Sequence, residues 1–248
     1  MSEWILGRNP VWEVLKARRR DILRLRIAET THEKSRLSEI ANLTKNRKIP
    51  VEHVTRQILD GLGSHHQGVA LEVGFYPYSH LSEMLSLANQ RSAFPFILIL
   101  DAIQDPQNLG TLLRTAEAVG VHGILLPYHH TAQVTPAVVH ASAGACEHLL
   151  VAQVNLAQAI TQLKEQNIWV IGLDIHPDAL PPTKVNLNGP LALVVGNEGV
   201  GMRQLTRASC DLLVRLPIQG QVSSLNASVA GSIALYLAWQ ARQPLTYR

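Results

Sequence analysis

Cysteine is scarce in this chain of 248 residues: Cys146 and Cys210 are the only two. They make no disulfide framework and no four-ligand zinc pattern. Both sit among apolar residues and read as buried small hydrophobes, and a reducing cytoplasm is the simplest compartment. Long apolar runs are also missing. None reaches the ~18–20 residues that cross a bilayer, which excludes a membrane-spanning helix. The opening Met1-Ser2-Glu3-Trp4 lacks the charged and apolar regions of a secretory leader. Charged residues are only 17% of the chain against 46% hydrophobic ones, so it folds rather than staying disordered. The histidines His65/His66 and His129/His130 are adjacent pairs, not helical i, i+4 ligand pairs. They read as surface loop residues, and no metal site is expected.

Net charge is small, at +3, but unevenly placed. Residues 1–50 hold 12 Lys/Arg and 6 Asp/Glu, leaving 10 and 13 for the rest. The excess is therefore N-terminal, which suggests an anionic partner there, nucleic acid first. A solvated basic face fits the charge equally well. The run Arg18-Arg19-Arg20 has the same two readings, solvated surface or phosphate contact.

Hydrophobic patterning divides the chain into residues 1–75, a linker with an entry helix at 76–92, and residues 93–248. In the first region Asn9 and Pro10 look like a helix cap and first helical residue. Ile22–Ala28 alternates apolar residues with Arg24 and Arg26 and reads as a strand. Ser35–Asn46 reads as a helix, and Val51–Val54 and Val69–Val73 as strands around the loop Gly61–Gly68. This is a small α/β unit. Strand and helix then alternate to the end of the chain. Strands are expected at Phe96–Leu100, Gly123–Leu126, His148–Val151, Trp169–Leu173, Leu191–Val195 and Leu212–Leu216. Helices are expected at Leu109–Val119, Pro136–Ala143, Leu156–Glu165, Gly201–Ala208 and Leu225–Gln240. Near-continuous apolar strands imply a parallel sheet buried on both faces. Chemistry then belongs in the loops beyond the strands' carboxyl ends.

Three such loops carry polar or flexible residues. After Val195 comes Gly196-Asn197-Glu198-Gly199-Val200-Gly201, whose glycines permit close backbone approach to a ligand. It is neither G-x-G-x-x-G nor a P-loop, and a tight turn is an equal reading. After Leu100 comes a turn at Asp105-Pro106, then Asn108, Gly110 and a helix bearing Arg114 and Thr115. After Leu216 come Pro217, Ile218 and Gly220, then Ser224, Leu225, Asn226 and Ser228 at the start of the longest helix. Ser224 and Asn226 could serve as helix caps.

Taken together, N-x-G-x-x-x-R-T, G-N-E-G-x-G and L-P-I-x-G-x-x-x-S-L-N-x-S resemble the three motifs of the SpoU/TrmH family of RNA ribose 2′-O-methyltransferases, in the SPOUT superfamily. Gly7-Arg8-Asn9-Pro10-Val11-x-Glu13 and His66-Gln67-Gly68-Val69 resemble the substrate-binding domain of the subgroup with the bacterial 23S rRNA guanosine 2′-O-methyltransferase. The resemblance implies an α/β catalytic domain with a C-terminal trefoil knot, preceded by an RNA-binding domain. The small residues from Ser223 to Ala234 suit a threaded chain. It implies a cytoplasmic homodimer that binds ribosomal RNA and S-adenosylmethionine, the latter held by Gly196, Leu216, Ile218 and Leu225. Glu72-Val73-Gly74-Phe75 does not continue the acidic-Gly-x-Gly motif of Rossmann-type methyltransferases.

By the same resemblance Arg114 activates the ribose hydroxyl, and Asn108, Glu198, Ser224 and Asn226 orient it, the cofactor or the ribose. Arg114 could act as base or as stabiliser of the developing alkoxide. Arg8, Arg18, Arg19 and Arg20 become the expected RNA contacts. The target implied is a guanosine in the peptidyl-transferase P loop of 23S rRNA. The alternatives are a tRNA 2′-O-methyltransferase and a non-catalytic RNA-binding protein of ribosome assembly.

Overall fold

In a computed structural model the described residues are 2–29, 35–221 and 224–243, with only the backbone of Ser35. Ser223, where the segment of small residues begins, lies outside them. The chain divides into two compact units, Met1–Pro77 with Gln133–His148, and Tyr78–Ala132 with Leu149–Arg248. The sequence division assigns 133–148 to the second region; in space the segment belongs with the first.

The first unit contains β1 (Glu3–Leu6), α1 (Arg8–Ala17), β2 (Ile22–Ala28), α2 (Ser35–Asn46), β3 (Val51–Val54), α3 (Arg56–Asp60), β4 (Val69–Val73) and α6 (Pro136–Ala141). The sheet order is β1-β4-β2-β3, with β2 and β3 parallel and the other pairings antiparallel. The spans of β2, α2, β3 and β4 match the sequence pattern. Strand β1 and helix α3, four and five residues long, do not appear in it. Helix α1 starts earlier than expected, with Gly7 at φ 93 as its N-cap instead of Asn9. Pro10 still falls in the first turn, where its missing N–H costs nothing.

Several arginines of this unit are engaged internally. Arg20 is a correction: it is only 6% exposed and cannot grip RNA. Its guanidinium donates to Glu147 through Nε at 3.0 Å and Nη2 at 2.8 Å, and also to Glu3. Burial alone would favour neutral Arg20, but the two carboxylates outweigh it and raise its pKa. Arg19 also turns inward, to the Tyr76 hydroxyl at 3.0 Å and the Pro77 carbonyl at 3.1 Å. On the sheet, Arg24 pairs with Glu52 and Glu72, Arg26 pairs with Glu52, and both stack on Trp4. Alternating Arg in β2 is therefore a cross-strand ladder.

Another correction concerns His66. It is 1% exposed, with Nε2 2.9 Å from Asp60 and Nδ1 accepting from the Gly68 N–H at 2.9 Å. The next residue, Gln67, receives the Arg8 N–H through its side chain at 3.1 Å. The Gln67 carbonyl accepts from Arg8 Nε at 3.1 Å. The two N-terminal segments of the family resemblance thus meet in space.

The second unit contains α4 (Leu81–Gln90), β5 (Phe96–Asp101), α5 (Pro106–Ala118), β6 (Gly123–Pro127), β7 (Val151–Val154), α7 (Leu156–Glu165), β8 (Trp169–Leu173), β9 (Leu191–Gly196), α8 (Gln204–Ser209), β10 (Leu212–Val214) and α9 (Ala227–Ala241). Its sheet runs β10-β8-β9-β5-β6-β7 and is parallel throughout. Every residue of β5, β6 and β9 is buried, which explains the unbroken apolar runs of β6, β9 and Phe96–Leu100 of β5. Strand β7 begins later than expected because His148 closes a 3₁₀ turn, with Nε2 2.7 Å from Glu13. Helix α5 begins at Pro106, three residues before the expected Leu109, because Asp105 caps it by accepting the Gln107 N–H at 3.0 Å. No helix among the described residues is long and apolar enough to cross a membrane.

Candidate functional site

Three of the expected polar residues converge beyond the carboxyl ends of β5 and β9. Asn108 lies in the first turn of α5, Glu198 in the loop after β9, and Asn226 is the N-cap of α9. Asn226 Oδ1 accepts the backbone N–H groups of Ser228 at 2.9 Å and Val229 at 3.2 Å. This fixes its amide, so that Nδ2 donates to Asn108 Oδ1 at 3.2 Å and Glu198 Oε1 at 3.1 Å. Asn108 Nδ2 donates to Glu198 and, at 3.0 Å, to Asp105 Oδ2. Asn108 Oδ1 also accepts from the Ser228 hydroxyl at 2.9 Å. The Ser228 hydroxyl also lies 2.7 Å from Asn226 Oδ1, so its one proton is shared between the two amides; both donors of the Asn108 amide are used, and its orientation is set. Asp105 and Ser228 complete this network. The sequence marked Asp105 only as a turn residue and Ser228 only as a motif position.

The glycine loop is a tight hairpin. The N–H of Asn197 and the carbonyl of Gly201 bond at 3.0 Å, and the reverse pair at 2.9 Å. The Asn197 side chain accepts from Gly199 N–H and donates to the Ala102 carbonyl, both at 2.9 Å. Gly196 is obligatory, since a Cβ there would lie 2.3 Å from the Gly201 carbonyl carbon and the Met202 nitrogen. Below the loop, fully buried Asp101 accepts from Arg203 Nε at 2.6 Å and Arg203 N–H at 2.8 Å. That pair anchors the end of the loop, and nothing in the motifs announced it.

A cavity of about 370 Å3 opens beside this hairpin. The four residues expected to hold a cofactor, Gly196, Leu216, Ile218 and Leu225, all line it, as do Glu198 and Ser224. Aliphatic walls with a few polar groups, at this volume, suit a nucleoside-sized ligand. Ser224 caps no helix; that role falls to Asn226.

Arg114 stands apart. It is exposed on α5, does not line the cavity, and has no hydrogen-bond or ion-pair partner among the described residues. Its neighbour Thr115 shares a 2.9 Å hydrogen bond with Ser232 of α9. Helices α5 and α9 approach closely there, and a Cβ on Gly231 would meet Leu112 at 2.6 Å. Val229, Ile233 and Tyr236 form an exposed apolar stripe on α9, at 46%, 40% and 55% exposure.

In the first unit, Arg18 is exposed at the C-terminus of α1 with φ 58. Burial, and after it the repulsion of Arg18, hold the Arg47 pKa below its usual range. Arg47, just past α2, donates to the Leu15 carbonyl of α1, a contact that spacing could not show.

A family model described as the SpoU rRNA Methylase family matches residues 95–236. Another, described as RNA 2'-O ribose methyltransferase substrate binding, matches residues 4–79. The chain is 40% identical over 245 residues to the "Putative TrmH family tRNA/rRNA methyltransferase YacO" of Bacillus subtilis, covering 98% of this chain and 97% of that protein. It is 36% identical over 240 residues to a protein of the same family name from Staphylococcus saprophyticus, covering 96% and 95%. The fold is similar to that of the SpoU methyltransferase AviRb from Streptomyces viridochromogenes in complex with AdoMet, with TM-score 0.80 and 23% identity over 96% of this chain and 89% of that one. It is also similar to an AdoMet-bound rRNA methyltransferase from Sinorhizobium meliloti, with TM-score 0.78 and 24% identity over 96% and 87%.

Proposed function

The chain belongs to the SpoU/TrmH family of RNA methyltransferases, and from that premise we propose that it methylates the ribose 2′-OH of a guanosine in the peptidyl-transferase P loop of 23S rRNA. The observation that carries the reaction is the joining of Asn108, Glu198 and Asn226 at a cavity bounded by a glycine hairpin. S-adenosylmethionine, the cofactor proposed for that cavity, supplies the methyl group as an electrophilic sulfonium. Gly196 gives its backbone edge, and Leu216, Ile218 and Leu225 give aliphatic contact to the adenosine part.

The chain's own task is to position the hydroxyl in line and to handle its proton. Asn108 and Asn226 hold the Glu198 carboxylate in one orientation beside the cavity. Arg114 is the proposed contact with the ribose oxygen. A guanidinium with a pKa above ~12 is a poor base but a strong donor to a developing alkoxide or an adjacent phosphate. The lack of a partner for Arg114 among the described residues leaves it free for that role. Ser224, on the cavity wall, is assigned to orienting the cofactor or the ribose.

We assign RNA contact to Arg8 and Arg18 of the expected set and add Arg47; Arg20 is removed from that set by its burial, and Arg19 by its inward bonds to Tyr76 and Pro77. The exposed stripe on α9 supports a homodimer. Strand β10 is the sheet edge, yet α9 opens against Asn108, which follows β5 three strands away. That crossing supports the knot of the family. A cytoplasmic location accords with an RNA substrate. The relatives' names cover both tRNA and rRNA, so the test supplies both. Labelled S-adenosylmethionine should mark rRNA, at one guanosine. Label in tRNA alone refutes the target, and label in neither favours a binding protein.

A further inference from the structure

Asp174 and Arg207 form an ion pair in the wall of the cavity, on the side away from Asn108. Strand β9 lies between β8 and β5. Asp174 follows β8, and Asn108 belongs to the helix that follows β5. Adjacent strands are about 4.8 Å apart, so two spacings, roughly 10 Å, separate the ends from which these residues spring. The glycine hairpin stands between them.

We propose that Asp174 is a cofactor-binding residue whose carboxylate accepts the vicinal hydroxyls of the cofactor's ribose, and that Arg207 is a positioning residue for that carboxylate. This rests on the cofactor proposed above. The Asp174 side chain is only 6% exposed although it borders the cavity. Its Oδ1 accepts the His176 N–H at 3.0 Å. Its Oδ2 lies 2.8 Å from Arg207 Nε. That approach is out of hydrogen-bond alignment, and both atoms are buried without a hydrogen-bond partner among the described residues. A carboxylate has about four acceptor sites, and here one is filled. Arg207 neutralises this carboxylate without a well-aligned hydrogen bond, and a ligand hydroxyl can donate to it where the remaining 6% of its side-chain surface is exposed at the cavity.

The surroundings select the donor. Leu173 and Ile175 flank Asp174 along the chain, and Leu216 and Ile218 share the cavity with it, which is lining for a base and sugar. Sugar hydroxyls are neutral donors and leave the Asp174–Arg207 pair balanced, whereas a cation would compete with Arg207. Arg207 pairs with Asp174 by charge and is 37% exposed, with Nη2 beside Gly201; a Cβ there would sit 3.9 Å from it. Gly201, at φ 72, keeps that space open.

The test is calorimetric titration of the full chain with S-adenosylhomocysteine, its 2′-deoxy and 3′-deoxy ribose analogues, and 5′-methylthioadenosine. D174N should weaken S-adenosylhomocysteine and 5′-methylthioadenosine alike, by about ten- to a hundredfold. Removing a ribose hydroxyl should cost the wild type a similar factor and cost D174N almost nothing further. R207Q should reproduce part of this coupling with the carboxylate still present, which keeps the test open if D174N does not fold. Equal hydroxyl dependence in wild type and variants overturns the proposal, and so does unchanged affinity in D174N. Loss of S-adenosylhomocysteine but not 5′-methylthioadenosine in R207Q places Arg207 on the amino-acid end and overturns its positioning role. Wild-type protein that binds none of these ligands overturns the cofactor assignment itself.

Discussion

The amide of Asn226 donates to Asn108 at 3.2 Å while its oxygen caps the helix that begins one residue later. One side chain therefore both starts α9 and ties it to α5. The two duties separate by substitution. N226D keeps the capping oxygen but loses the donor to Asn108 and places a second carboxylate beside Glu198. It should retain most of its stability and lose methyl transfer by at least about tenfold. N226A should lose transfer and also about 1 kcal/mol of stability from the cap. Denaturant unfolding and label transfer, measured on both variants, check this; an active N226D would contradict the role of the amide.

The buried Arg20 should matter for folding. Removing it strands Glu147, whose side chain is fully buried, and Glu3. R20M is expected to cost about 3–5 kcal/mol in urea unfolding. A variant as stable as wild type would show that the pair is dispensable.

Arg18 and Arg47 should matter for RNA. Taking away one cation that neutralises a phosphate lowers the slope of log binding constant against log salt by about 0.7–0.9. R18Q and R47Q should each show that reduction in filter binding, with cofactor affinity unchanged. An unaltered slope would return these residues to a solvated surface.

His122 should make stability depend on pH. It is 4% exposed, and its Nδ1 accepts the Phe96 N–H at 3.1 Å. Burial first, then Arg91 and Arg242, push its pKa down to about 4. The unfolded chain, with the ordinary value of about 6.5, binds the proton more readily. Stability from this group is therefore complete above pH 6.5 and is lost as pH falls through about 4, on the order of 3 kcal/mol in all. H122N should flatten that part of the stability profile.

Elements of a dozen residues and the buried parallel strands were legible in the sequence because burial on both faces writes an unbroken apolar run. Trp169–Leu173 and Leu156–Glu165 match their expected spans residue for residue. Strand β1 is not legible: Glu3-Trp4-Ile5-Leu6 shows no apolar–polar alternation, and its place in the sheet is set by pairing with β4. The polar cluster was legible as motif positions, but its geometry was not: Asp105 and Ser228 join it only because helix caps bring them together. The basic N-terminus misled at Arg20 because charge counts register sign and miss partners. Glu147, which neutralises Arg20, lies 127 residues away.

Arg114 is assigned to the chemistry, and the cavity to binding the cofactor without its help. The direct measurement of that division is R114A, assayed for transfer of labelled methyl to rRNA and titrated with S-adenosylhomocysteine. Transfer should fall by about a hundredfold or more, as for the removal of a donor to a developing oxyanion, with the dissociation constant within about twofold of wild type. Wild-type transfer by R114A, or its loss together with cofactor binding, would contradict the assignment.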